Sequence, residues 1–114
     1  MDPRVVAAVE IMRTDFHTNV HAAAVAGRVG LSESRFQHLF KKEIGETWTA
    51  YLKRIRLSRA MELLGDSGLS IKLIAFRVGY NNPANFTRAF KAAFGESPRT
   101  FRMRRPTSSK NSRS

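Results

Sequence analysis

The feature that most constrains this chain is a repeat within it. Ala26-Gly27-Arg28-Val29-Gly30 is matched by Ala75-Phe76-Arg77-Val78-Gly79. Phe36-Gln37-His38-Leu39-Phe40-Lys41 is matched by Phe86-Thr87-Arg88-Ala89-Phe90-Lys91. Gly45-Glu46-Thr47 and Gly95-Glu96-Ser97 close the two copies, Tyr51 stands where Phe101 does, and the second copy has one extra residue in its turn. Each copy reads as a short apolar helix stopped by glycine, a tight turn, and a second helix, which is the pattern of a helix-turn-helix. Ala26 and Ala75 are small where one helix must cross the next. Gly30 and Gly79 permit the sharp turn, and two Phe residues four apart anchor each second helix. One such pattern arises by chance in many helical proteins; two copies at matched spacing are much more restrictive.

The segments around the repeat also read as helices. Asp2 caps a first helix with Pro3 at its start; Val5, Val9, Met12 and Phe16 share one face, and the helix runs to about Asp15 or Phe16. Asn19 marks a turn before His21–Ala26. Ser32 is placed to cap the second helix of the first copy. Thr47 caps the longest helix, whose Trp48, Tyr51, Leu52, Ile55, Ala60, Leu63 and Leu64 keep helical spacing to about Leu64, before the break at Gly65-Asp66-Ser67-Gly68. Ser70 caps the next helix, Pro83 restarts another, and Ser97-Pro98 opens a last short one anchored by Phe101. No run alternates long enough to make a strand. The predicted fold is all-α: two helix-turn-helix subdomains joined by a long linker helix, about seven helices in all. The lobes are expected over about 2–46 and 69–104, the linker over about 47–64, and 106–114 as a disordered basic tail.

The formal charge is +11 over 114 residues, and its placement is uneven. Up to Glu46, six bases face six acids; from Ser67 onward Glu96 is the only acid, against ten Lys and Arg residues. Such asymmetry suggests a polyanionic partner. An acidic membrane surface fits charge alone, but the helix-turn-helix repeat favours double-stranded DNA. There is no Cys, which excludes disulfides and a Cys-based zinc site. No signal peptide is read at the N-terminus, and a cytoplasmic location is expected. His17, His21 and His38 are scattered, no nucleophile motif or Gly-rich nucleotide loop is present, and neither an enzyme nor a cofactor is expected. The aromatics interleaved with basic residues (Phe36, Phe40, Trp48, Tyr51, Phe86, Phe90) fall at helical spacing and read as core.

Three stretches together resemble the DNA-binding domain of the AraC/XylS family of bacterial transcription regulators. They are Tyr51-Leu52-x-x-x-Arg56-Leu57-x-x-Ala60-x-x-Leu63-Leu64, Ile71-x-x-Ile74-Ala75-x-x-Val78-Gly79-Tyr80, and Phe86-x-x-x-Phe90-Lys91-x-x-x-Gly95-x-x-Pro98-x-x-Phe101-Arg102. The resemblance covers about Asp2 to Arg104 and implies one DNA-binding domain over 1–105, monomeric, with two helix-turn-helix lobes. It further implies promoter binding, usually to activate transcription by contacting RNA polymerase. The chain departs from the family pattern in three places. His21 stands at the cap position that Ser70 fills in the second copy, Trp48 follows Thr47 where Pro is common, and Ser34 and His38 stand where some members have Trp and Arg. Most members carry a separate effector or dimerisation domain; none is read in these residues, so the chain is expected to be a short stand-alone member or a fragment.

Candidate base contacts are Ser34, Arg35, Gln37 and His38 in the first recognition helix, with Gln suited to adenine and Arg to guanine. In the second they are Asn85, Thr87 and Arg88, with Pro83 and Ala84 offering shape or methyl contacts. Lys41, Lys91, Arg99 and Arg102 are candidates for phosphate, as are the helix starts near His21 and Ser70. Arg28 and Arg56 could instead be structural. The alternative function is a helical protein-interaction scaffold with only non-specific DNA binding.

Overall fold

The computed structural model describes residues 1–18 and 20–104. Asn19 and the expected tail lie outside the described residues. Among the described residues seven helices follow in order: α1 Pro3–Asp15, α2 Ala22–Arg28, α3 Glu33–Ile44, α4 Trp48–Asp66, α5 Ile71–Arg77, α6 Pro83–Phe94 and α7 Pro98–Arg104. No strand occurs among the described residues, and no helix there is long and apolar enough to cross a membrane. The chain divides into two compact units, Met1–Ile55 and Arg56–Ser114.

In the first unit α1, α2 and α3 pack on one another. Val5, Ala8, Met12, Val25, Ala26, Phe36, Phe40 and Trp48 form its core. Ala8 takes the central place on α1 that periodicity assigned to Val9; Val9 and Phe16 are half-buried. Trp48 sits against Phe36 and Phe40 with ring centroids 5.2 and 5.4 Å apart, in edge-to-face geometry. Its buried Nε1 has no hydrogen-bond acceptor among the described residues, so the indole is held here by aromatic packing. That packing accounts for Trp at a position where a proline would merely start the helix.

The second unit repeats the plan. Leu57, Ala60 and Leu64 of α4 are buried, as are Ile74, Ala75 and Val78 around α5, Phe86 and Phe90 of α6, and Pro98 and Phe101 of α7. Tyr80 packs edge-to-face on Phe86 at 5.5 Å, and Phe101 on Phe90 at 5.7 Å.

The turn between paired helices has one construction in both units. Val29 ends α2, Gly30 takes φ +80°, and the Gly30 amide donates to the Gly27 carbonyl while the Leu31 amide donates to Ala26. In the second unit Gly79 takes φ +103°, with Gly79 donating to Phe76 and Tyr80 to Ala75. This pairing of the last two amides with carbonyls of the final turn is a Schellman motif, and it needs a residue in the left-handed region.

The expected caps form. Asp2, Ser32, Thr47, Ser70 and Ser97 side chains accept from the amides of Arg4, Arg35, Ala50, Leu73 and Thr100. Asn82 adds a cap for α6, its Oδ1 accepting from both Ala84 and Asn85. His21, the poor cap, makes no side-chain cap bond. One boundary needs correction: α4 runs to Asp66 rather than Leu64. Gly65 is a buried helical residue, and termination falls to Ser67, whose hydroxyl donates to the Leu63 carbonyl at 2.6 Å.

Candidate nucleic-acid interface

Each helix-turn-helix turns one face of its second helix into the core and leaves the other in solvent. On α3 the buried side is Phe36 and Phe40; Ser34, Arg35, Gln37, His38 and Lys41 are exposed. On α6 the buried side is Phe86 and Phe90; Ala84, Asn85, Arg88 and Lys91 are exposed, with Pro83 and Thr87 half-buried. The structure therefore leaves the α3 candidates and Ala84, Asn85 and Arg88 of α6 on the solvent side of their helices, while Pro83 and Thr87 are partly covered. Lys41 and Lys91 lie in the last turns of these helices, and their carbonyls accept from the Gly45 and Gly95 amides.

Several side chains are already engaged. The Gln37 amide nitrogen donates to Glu33 Oε2 at 3.0 Å, and Arg88 Nη1 donates to Asn85 Oδ1 at 3.0 Å. Arg102 is half-buried; its Nε and Nη2 donate to the carbonyls of Leu64 and Ser67 at 3.2 and 3.4 Å. It thus closes the end of α4, and only its remaining donors are available to a phosphate. Arg99 is exposed, as are His21 and Ser70 at the starts of α2 and α5. Arg4, unforeseen at this surface, lines a hollow with Ser34, Arg35 and His38. Its guanidinium holds the Asp2 carboxylate at 2.9 Å. That side-chain bond, with the Arg4 backbone amide, pulls the Asp2 pKa down to about 2.

The charge pairing differs between the two units. In the first, Arg4, Arg13, Arg28 and Arg54 pair with Asp2, Glu10, Asp15 and Glu46. In the second, Arg59 pairs with Glu62 and Arg104 with Glu96. Lys72, Arg77, Arg88, Lys91 and Arg99 have no carboxylate partner among the described residues. The basic excess is thus presented to solvent, where it can attract a polyanion. Arg56 is a different kind of arginine. It lies over the Tyr80 ring at 6.0 Å, and burial lowers its pKa and raises that of the Tyr80 hydroxyl.

A matched pair of clamps went unread in the sequence. Arg54 pairs with Glu46 and lies 4.9 Å over Tyr51; Arg104 pairs with Glu96 and lies 5.7 Å over Phe101. The carboxylates raise the pKa of both guanidinium groups. Each clamp ties the loop that ends a recognition helix to the helix after it. The signal was present: Glu46/Glu96, Tyr51/Phe101 and Arg54/Arg104 are each 50 positions apart. Among the described residues no cluster of His, Cys, Asp or Glu could hold a metal.

Comparison with known proteins agrees with this geometry. A family model described as a helix-turn-helix domain matches residues 25–104. The chain is 34% identical over 102 residues to the HTH-type transcriptional regulator GlxA of Rhizobium meliloti, covering 90% of this chain and 32% of that protein. It spans about a third of the length of the curated relatives it matches. Among solved structures, the C-terminal domain of AraT, a response regulator from Geobacillus stearothermophilus, superposes with a TM-score of 0.92 at 32% identity, covering 99% of this chain and 94% of that one. The DNA-binding domain of AdpA, a global transcriptional factor solved in complex with a target DNA, shares the fold with a TM-score of 0.86 at 23% identity, over 90% and 93% of the two chains. The chain belongs to the AraC-type helix-turn-helix family of transcription regulators.

Proposed function

We propose that this chain is a sequence-specific, double-stranded DNA-binding unit of a bacterial transcription regulator, working in the cytoplasm on promoter DNA. The observation that carries the reading is the duplicated helix-turn-helix whose second helices, α3 and α6, both keep a polar, base-rich face free of the core. In this reading Ser34, Arg35, Gln37 and His38 of α3, and Pro83, Ala84, Asn85, Thr87 and Arg88 of α6, meet base edges. Lys41, Lys91, Arg99, Arg102 and the helix starts at His21 and Ser70 meet phosphates. A domain of like fold has been solved in complex with a target DNA, which supports DNA binding as the function here.

The chain acts as a monomer in this reading, with its DNA-binding domain over 1–105. In this reading each of the two recognition helices enters its own major groove, successive grooves on one DNA face lying roughly 34 Å apart. Activation, through contact with RNA polymerase, is the regulatory outcome most in keeping with the family.

Selection of binding sites from a random DNA library tests the proposal. A two-part consensus with centres about one helical turn apart is expected. A single short site would restrict base reading to one lobe. Enrichment of no sequence, with binding that disappears as salt rises, would leave a helical scaffold with non-specific affinity.

A further inference from the structure

We propose that Arg4 holds a DNA backbone phosphate at the edge of the face from which Ser34, Arg35 and His38 read bases, so that α1 joins the interface. This rests on the proposed DNA reading and adds a site to it. Arg4 lines one hollow with Ser34, Arg35 and His38 of α3 and with Leu31, the residue that follows the turn. No carboxylate is among the described residues lining that hollow. Arg4, Ser34, Arg35 and His38 are all exposed, and all can donate a hydrogen bond. Arg35 has no carboxylate partner among the described residues. A recognition helix with its side chains is about 10–12 Å across, and the major groove is about 12 Å wide. A donor carried beside it on a neighbouring helix therefore meets the phosphate wall of the groove rather than its floor.

The Arg4 guanidinium is held in place before any DNA arrives. Its Nε donates to Asp2 Oδ1 at 3.1 Å and its Nη2 to Asp2 Oδ2 at 2.9 Å. Both N–H groups of Nη1 and one of Nη2 remain, a fork that matches two phosphate oxygens. Asp2 is itself fixed: its amide donates to Glu43 Oε1 at 2.8 Å, and its Oδ1 accepts from the Arg4 amide at 2.8 Å. A phosphate therefore immobilises little that is not already ordered. The second unit shows the same position closed off. Val5, Ala8 and Met12 are buried on α1 at the spacing that Leu57, Ala60 and Leu64 keep on α4, which sets Arg4 against Arg56. Leu31 follows Gly30 as Tyr80 follows Gly79. Arg56 is half-buried and lies over the Tyr80 ring at 6.0 Å. Leu31 offers no ring, and Arg4 stays exposed beside the hollow.

Because Asp2 balances the charge of Arg4, the contact is read at one phosphate rather than from the salt slope. The test is gel shift and phosphate ethylation interference with the wild-type chain, Arg4→Gln and Arg13→Gln. Arg13 is exposed on the same helix and likewise paired with a carboxylate, Glu10, so it controls for loss of a paired charge. Arg4→Gln is expected to weaken binding about tenfold on cognate and random DNA alike, with base preference unchanged, while Arg13→Gln binds as the wild type does. One phosphate flanking the α3 half-site should be found whose ethylation weakens the wild type and leaves Arg4→Gln unaffected, the other phosphates interfering with both. A change in folding stability lowers all binding together and does not remove one phosphate from the pattern. Binding by Arg4→Gln as tight as wild type, an equal loss in Arg13→Gln, an unchanged interference pattern, or relaxed preference at one base pair would overturn the inference while leaving DNA reading intact. Failure of the wild type to bind DNA even at low salt would overturn both.

Discussion

Two glycines three residues apart in one turn should respond oppositely to the same substitution. Gly27 lies in the last turn of α2, Gly30 just beyond it at φ +80°, and an added Cβ would meet no atom within 4 Å at either. Space is therefore equal and backbone handedness is the only difference. At Gly27, alanine removes the entropic cost of a helical glycine and should stabilise the fold by about 0.5 kcal/mol. At Gly30, holding an L-residue in the left-handed region costs about 1–2 kcal/mol, offset by about 0.4–1 kcal/mol from the stiffer unfolded chain, leaving roughly 1 kcal/mol of destabilisation. The Gly30 amide still reaches the Gly27 carbonyl, so no hydrogen bond is lost. The two variants should differ by about 1.5 kcal/mol, or about 6–12 °C in Tm for a unit of this size. Trp48 is the single tryptophan and is 4% exposed in the core of this unit, so its emission reports unfolding by heat or urea. Gly30→Ala as stable as wild type, or Gly27→Ala destabilised equally, would refute the assignment of this turn to a left-handed requirement.

Two further outcomes are expected. Arg88→Ala should weaken specific binding by about 1–3 kcal/mol and relax one base pair, whereas Lys91→Ala should weaken all sequences alike and reduce the salt slope by about 0.9; gel shifts on cognate and random DNA over a salt series separate the two. Asp2 has a folded pKa of about 2, below its ordinary 3.8. Its contribution to stability is therefore present above about pH 3.8 and lost as pH falls through about 2. Asp2→Asn keeps a capping oxygen but does not titrate, so urea midpoints measured from pH 5 to pH 2 should fall less steeply for the variant than for wild type.

Much of the fold was legible because its signals are local. A cap needs its own hydroxyl and an amide two or three residues on, and the Schellman turn needs a glycine at one place. A helix face needs only spacing, so Asp2, Ser32, Thr47, Ser70, Gly30 and Phe36 announce their roles without tertiary context. Gly65 misled for the same reason: a glycine before Asp66-Ser67-Gly68 looks like a stop, but it is a small residue buried within α4, a fact set by packing. The candidate site was legible as a face and illegible as a set of hydrogen bonds. Arg102 reaches carbonyls 38 and 35 positions earlier in the chain. Gln37 turns to Glu33, and Arg88 to Asn85. Long side chains choose among several donors and acceptors that only the folded backbone brings within reach.

The duplication separates what the fold needs from what the interface uses. Ala26/Ala75, Phe36/Phe86 and Phe40/Phe90 are identical between copies and buried, so packing explains them. Glu46/Glu96 and Arg54/Arg104 are identical and paired, so the clamps explain them. Lys41/Lys91 is identical and exposed, and neither lysine has a carboxylate partner among the described residues. No packing or pairing requirement accounts for its retention; a phosphate, the same on every sequence, would. The outer-face positions between these fixed points all differ: Ser34/Ala84, Arg35/Asn85, Gln37/Thr87 and His38/Arg88. Different donors and acceptors read different base edges. If the proposed reading holds, a duplicated fold with a shared exposed lysine and unlike outer faces is expected to select an asymmetric site, whose two halves are neither repeats nor inversions of one another.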